Sequence, residues 1–210
     1  MKDLATANGV LRETQRYPPV LTFGRVQDPP VVRLLTFADA AFPKIAGSTY
    51  GQSGILSGLV LGTGSKAAFH ALAWSSHKQS RVARSSSAAE ILAIVEAAEF
   101  GAALRDALQR ICGRTVPHEV IVDSKSLFDT ITTQHEAKDF RLRQAVRSLR
   151  ERYELGEITK LRWIAGRVNP ADALTKHGAS TAPLLSDICH CGRLCIDLSE
   201  GLASRDADQE

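Results

Sequence analysis

The stretch VVRLLTFADAAF, residues 31–42, reads as a strand covered on both faces. Val31, Val32, Leu34, Leu35 and Phe37 make a nearly continuous apolar run, and Asp39 closes it. Strands disfavour aspartate, and a carboxylate ending a central strand must find a cation or several donors. In open α/β sheets ligands gather beyond the carboxyl ends of the strands, so Asp39 is the first candidate for chemistry.

Downstream, Gly54 to Leu61 and Ala67 to Trp74 are runs of apolar or small residues joined by Gly62, Thr63, Gly64 and Ser65, which suits an antiparallel hairpin. From about Ser85 to Arg110 the period changes. Ile91, Val95, Ala98 and Ala102 recur at spacings of four and three and predict one buried face of a long helix. His118 to Val122 is a β-branched strand ending at Asp123, followed by a short helix over Ser124 to Ile131 capped by Asp123 or Ser124. A second amphipathic helix covers Lys138 to Tyr153, with Leu142, Ala145, Val146, Leu149 and Tyr153 inward, and Glu157 to Ile164 is the last strand. Asn169 and Pro170 then read as N-cap and first position of a further helix that carries Asp172 in its first turn. A weak helical pattern lies near Pro183 to Ile188, and the polar stretch from Ser199 is expected to fray.

The resulting division is an N-terminal tail and linker over 1–30, with Pro18, Pro19, Pro29 and Pro30, one α/β domain over 31–178, and a C-terminal extension over 179–210. The 210 residues are 44% hydrophobic and 23% charged, as in a globular protein with room for a sizeable core. The N-terminus lacks a charged-then-apolar signal layout and no apolar run is long enough to span a bilayer, so an intracellular, unanchored protein is expected. The net charge of +3 does not by itself indicate a nucleic-acid partner. Cys112 stands alone, and Cys189, Cys191 and Cys195 crowd the C-terminus, unlike a secreted disulfide framework. With His190 they suggest zinc, but a second pair of ligands at knuckle spacing is missing, and a segment of Cys195, Ile196 and Leu198 suits a short docking strand.

Four acids remain as candidates, each with a structural alternative. Glu90 follows Ser87 by three residues and completes a capping box; Asp172 in a first helical turn complements the macrodipole; Asp123 serves equally as a cap. If they converge, a pair of unit charges ~4 Å apart at an effective dielectric near 20 costs about 4 kcal/mol, so cations must neutralise them. Carboxylate oxygens without histidine or thiolate favour Mg²⁺ or Mn²⁺ over zinc. Two such ions would activate a water and steady the leaving oxygen in phosphodiester hydrolysis.

Taken in order, TFADAAF (36–42), WSSHKQSRVARSSSAAE (74–90), VDSKSLFDTI (122–131) and RWIAGRVNPADALTK (162–176) resemble the ribonuclease H domain of copia-type retrotransposon polyproteins. The resemblance implies a ribonuclease H-like α/β fold: a five-stranded mixed sheet, three antiparallel strands followed by two that alternate with helices. It also implies hydrolysis of the RNA strand of an RNA/DNA hybrid, with Asp39, Glu90, Asp123 and Asp172 holding two Mg²⁺ ions. Many ribonucleases H carry a histidine before the final acid; here the loop runs Ile164, Ala165, Gly166, Arg167, Val168, and His177 follows Asp172. Protease, integrase and reverse transcriptase patterns do not fit in this length, so a fragment, or a derivative separated from a reverse transcriptase domain, is expected.

Phosphates should be held by basic and small polar side chains flanking the acids. Arg81, Arg84 and Ser86 beside the Glu90 helix, and Lys125 after Asp123, are the first choices. Arg143, Arg147 and Arg150 form a basic stripe on one helix that is either a second grip or a solvated face. Trp74 and Trp163 are expected in the core. Two rival functions stay open: a catalytically silent nucleic-acid-binding or interaction module, and another two-metal nuclease on the same fold.

Overall fold

The apolar run after Pro30 is strand β1, Val32–Ala41, and it lies at the middle of the sheet, with Leu34, Leu35 and Phe37 fully buried. The computed structural model describes residues 20–23, 31–42, 50–62, 67–133 and 139–194, with shorter pieces at 5, 8–9, 11–12, 15–16, 196, 198 and 202–204. β1 pairs antiparallel with β2 (Tyr50–Leu61), which pairs antiparallel with β3 (Ala68–Val82). On its other side β1 pairs parallel with β4 (His118–Val122), itself parallel to β5 (Lys160–Trp163). The order β3-β2-β1-β4-β5, flanked by helices, is the ribonuclease H-like mixed sheet that the motifs imply. A sixth strand, β6 (Leu202–Ser204), pairs antiparallel with β5, within the stretch whose polarity suggested fraying. Of the tail over 1–30, most residues lie outside those described.

Helices α1 (Ser86–Cys112), α2 (Lys125–Thr132) and α3 (Phe140–Glu154) follow β3 and β4. Ile91, Ile94, Ala97 and Ala98 of α1 and Val146 and Leu149 of α3 close a core over one sheet face with Ala38, Ile55 and Val120. The buried face of α1 is built largely of Ala and Gly, which lets the helix lie close to the strands. Gly101 shows why: a Cβ there would stand 2.1 Å from His118 Nε2 and 2.6 Å from Thr36 Oγ1. Beneath it Thr36 Oγ1 is 3.0 Å from both Ser57 Oγ and His118 Nε2, which links the three buried side chains by hydrogen bonds.

The other face carries Leu35, Phe37, Leu56, Phe69 and Ile121. It is covered by a 3₁₀ turn over Pro170–Leu174, helix α4 (Ala182–Cys191), and Leu194, Ile196 and Leu198. Burying a side chain such as Phe37 is worth about 2–3 kcal/mol, so both layers help hold β1 in place. Leu198 also accepts a 2.6 Å hydrogen bond at its carbonyl from Arg162 Nη1, and Arg162 Nε donates to Glu119 Oε2 at 2.6 Å, a buried ion pair between β4 and β5. Ile196 and Leu198 thus dock as buried side chains without forming a strand; Cys195 lies outside the described residues. Among the described residues no helix is long and apolar enough to cross a membrane.

Two expectations change. β3 runs eight residues past Trp74, whose side chain is 55% exposed and borders an apolar cavity of about 520 Å³ with Leu56, Leu174 and Leu185. Trp74 is therefore not core; the polar run after it hides the strand because its ladder to β2 is sustained by the backbone. Trp163 is half-buried against the first core and donates from Nε1 to the Asp123 carbonyl at 3.0 Å.

Candidate metal centre

Asp39 sits inside β1, which continues to Ala41, and Asp123 directly follows β4. Phe37 pairs with Ile121 across the parallel ladder, so the two aspartates each stand two residues beyond the same pairing. Glu90 reaches this point from α1: Asp39, Glu90 and Asp123 line one narrow cavity with Ala38, Ile94, Val122 and Ser124. The capping-box reading of Glu90 does not hold. The helix starts one residue later than Ser85, which is the N-cap and accepts from the Ala88 N–H (3.1 Å), leaving Glu90 in the second turn. Asp123 is not a cap either; Ser124 holds that position without a capping hydrogen bond from its side chain.

Asp172 is carried by the Pro170–Leu174 turn, which begins as the sequence suggests, although as 3₁₀ structure. Asn169 Oδ1 accepts from the Ala171 N–H (3.1 Å), and its Nδ2 donates to the Ala38 carbonyl (2.9 Å), tying the turn to β1 next to Asp39. Asp172 does not line the cavity of the other three acids. Its Oδ2 accepts from Thr181 Oγ1 (2.9 Å), and its Oδ1 accepts from Lys176 Nζ. That ammonium also stands 3.7 Å from Asp39 Oδ2, which in turn accepts from Thr175 Oγ1. A lysine side chain thus joins the fourth acid to the first.

Burial pushes the Asp123 carboxyl up to about 6, with the charges of Asp39 and Glu90 adding to the rise and a hydrogen bond from Asn169 and the charge of Lys176 opposing it. For Lys176, partial burial acts downward, but the hydrogen bond to Asp172 and the charges of Asp39, Asp172 and Asp123 prevail and raise its pKa. The donor set suits a hard divalent cation: neither Glu90 nor Asp123 has a Lys or Arg partner at salt-bridge distance among the described residues, and their mutual repulsion is what a cation relieves. Among the described residues, however, no three Asp, Glu, His or Cys side chains already stand as a ready metal-holding set. Asp172 is turned to Lys176 and Thr181 instead.

Thr175, Lys176 and Thr181 were not among the residues singled out from sequence. Lys176 had a usable signal, since Asp172 and Lys176 are four apart, the spacing of a helical ion pair. Gly54, paired with Asp39 on β2, leaves room for the turn, and Gly166 leaves room for Asp123: a Cβ at 166 would lie 3.3 Å from Asp123 Oδ2.

The basic residues divide. Arg81, Arg84 and Ser86 are exposed beside the α1 N-terminus. Lys125 is paired with Asp129 (2.8 Å) and lies over the Phe128 and Trp163 rings. In the stripe, Arg143 and Arg147 are exposed, whereas Arg150 is half-buried and donates to the carbonyls of Thr130 (2.5 Å) and Ile131 (3.3 Å) at the end of α2. His177 is exposed, Cys189 carries a free thiol, and Cys191 Sγ lies 3.9 Å from the Arg193 carbonyl oxygen.

No family model and no curated protein matches the chain. Solved structures do. The LC11 ribonuclease H1 isolated from compost is 19% identical over 68% of this chain and 91% of its own, with a TM-score of 0.48. The same enzyme in complex with an RNA/DNA hybrid is 17% identical over 68% and 93%, TM-score 0.48. Ribonuclease H1 from the halophilic archaeon Halobacterium salinarum NRC-1 is 20% identical over 68% and 93%, TM-score 0.43.

Proposed function

We propose that this chain is a metal-dependent endoribonuclease that hydrolyses the RNA strand of RNA/DNA hybrids, with Asp39, Glu90, Asp123 and Asp172 as ligands of two Mg²⁺ or Mn²⁺ ions. The observation that carries the reading is the meeting of Asp39, Glu90 and Asp123 just beyond the last parallel pairing of β1 and β4, close enough for the first two to raise the pKa of the third. Carboxylates crowded in this way are costly unless a cation balances them. Bound divalent ions would supply an activated water and charge neutralisation at the scissile phosphate. The protein's own part is to hold the acids: Asn169 fixes the Pro170–Leu174 turn to β1, and Gly54 and Gly166 let the turn and Asp123 approach. Arg81, Arg84 and Ser86 are the phosphate-gripping side chains. The four ordered motifs support descent from a copia-type retrotransposon, with a reverse transcriptase as the ancestral neighbour.

The test is Mg²⁺-dependent cleavage of a labelled RNA strand in an RNA/DNA hybrid, with single-stranded RNA and duplex DNA as comparators and Asp123→Asn as control. Hybrid-selective cleavage abolished by Asp123→Asn supports the reading. Lys176 on Asp172 favours one second reading, a silent hybrid-binding module; folded protein that binds hybrid and never cleaves it would establish that instead.

A further inference from the structure

We propose that the Lys176 ammonium is a resident counter-cation of the Asp39–Asp172 side of the centre, so that a divalent ion engages Asp39, Glu90 and Asp123 first and gains Asp172 only when Lys176 swings out. The inference rests on the metal-binding reading above and adds a residue that governs loading. Both oxygens of Asp172 are committed, one to Lys176 and one to Thr181, and Asp39 Oδ2 accepts from Thr175 with Lys176 3.7 Å away. Glu90 and Asp123, by contrast, have no Lys or Arg partner at salt-bridge distance among the described residues. Positive charge is therefore supplied to one half of the acid cluster by the chain itself, and the other half is left for an ion.

A lysine suits a displaceable cation. Its charge is a point on a flexible stem, and the Lys176 side chain is 49% exposed, so a rotamer change carries the ammonium to water without moving the backbone. An ion approaching Asp172 meets a like charge and must also exchange the Lys176 hydrogen bond for its own contact. Loading of the second position is then weaker than the acids alone would give.

The experiment is calorimetric titration of the full chain with Mn²⁺ after EDTA treatment and dialysis, for wild type, Lys176→Met and Lys176→Arg, with folding checked by circular dichroism. Lys176→Met should bind Mn²⁺ at least tenfold more tightly at the weaker position or take up one more ion per chain, and Lys176→Arg should titrate as wild type. If Lys176→Met does not fold, Lys176→Gln reads the same charge. Wild type and the neutral variant binding Mn²⁺ with the same stoichiometry and affinity would overturn the counter-cation and leave the metal centre standing. Absence of Mn²⁺ binding by both folded proteins would overturn the metal centre, and the inference with it.

Discussion

Gly54 faces Asp39 directly across the β1–β2 ladder, and a Cβ at position 54 would stand 2.6 Å from Thr175 Cγ2 and 2.7 Å from the Ala171 carbonyl oxygen. The glycine is thus what allows the Asp172-bearing turn to lie on the sheet beside Asp39. Gly54→Ala should push that turn outward. The expected cost is about 1–3 kcal/mol by urea unfolding, as for overpacking elsewhere, with RNA cleavage reduced at least tenfold at temperatures where the variant stays folded. Full activity with only the stability loss would show that the turn tolerates displacement.

Asp123→Asn should abolish cleavage and yet stabilise the protein in EDTA. The carboxyl is raised from 3.8 to about 6, by burial first and then by Asp39 and Glu90. A folded pKa above the unfolded one means that the ionised form is disfavoured in the native state. The penalty is absent below about pH 4, grows as pH rises, and is complete above about pH 6. Discounted for remaining solvent contact, it is about 2 kcal/mol. Unfolding midpoints of the two proteins should therefore separate above pH 7 and converge near pH 4.

That variant also exposes the opposite titration of His118. Burial, reinforced by the charge of Arg105, lowers its pKa from 6.5 to about 4. Between those values the unfolded chain binds the proton and the native one does not, so stability is full above about pH 6.5 and is lost as pH falls towards 4. The loss approaches about 3 kcal/mol. In wild type the relief of Asp123 offsets it over the same window. Asp123→Asn should thus show the steeper loss on acidification, and a His118→Gln change in that background should flatten the curve.

How much of this was legible in the sequence follows from what each residue depends on. Asp39 could be read because an acid within an apolar strand contradicts its surroundings, and the Asn169–Pro170 start could be read because capping is local chemistry. β3 could not be read to its end: SSHKQS has no apolar alternation, and its ladder to β2 is made by backbone groups that every sequence has. The Glu90 alternative failed because three consecutive serines offer three cap positions and only packing selects Ser85. Lys176 was hidden by its flexibility, since a long side chain can serve solvent or site, and the decision is made by two acids, one 137 positions away in the chain and one four away.

Arg162→Met should cost about 3–5 kcal/mol, because among the described residues it leaves the Glu119 carboxylate, 3% exposed at its side chain, with Arg33 at 3.5 Å as its remaining ion-pair partner. It also removes the hydrogen bond to the Leu198 carbonyl. Limited proteolysis should cut the stretch around Leu198 faster than in wild type. Adding Glu119→Gln should recover part of the stability but not the protease resistance, since neutralising the acid does not restore the hold on Leu198.

The arginines separate gripping from structure. If Arg81 and Arg84 contact phosphates, Arg81→Ala with Arg84→Ala should weaken hybrid binding uniformly across sequences. The slope of log affinity against log salt should fall by about 2, since each phosphate neutralised contributes close to one released counterion. Unfolding midpoints should stay within about 0.5 kcal/mol of wild type, because both side chains are exposed. Arg150→Ala should do the reverse. Its guanidinium holds the Thr130 and Ile131 carbonyls at the end of α2, so its loss should cost about 1–2 kcal/mol of stability and leave the salt slope unchanged. Fluorescence anisotropy with a labelled hybrid at three salt concentrations reads both variants. A reduced slope for Arg150→Ala would place the nucleic acid along α3, whereas an unchanged slope for the Arg81 and Arg84 pair would remove the N-terminus of α1 from its path.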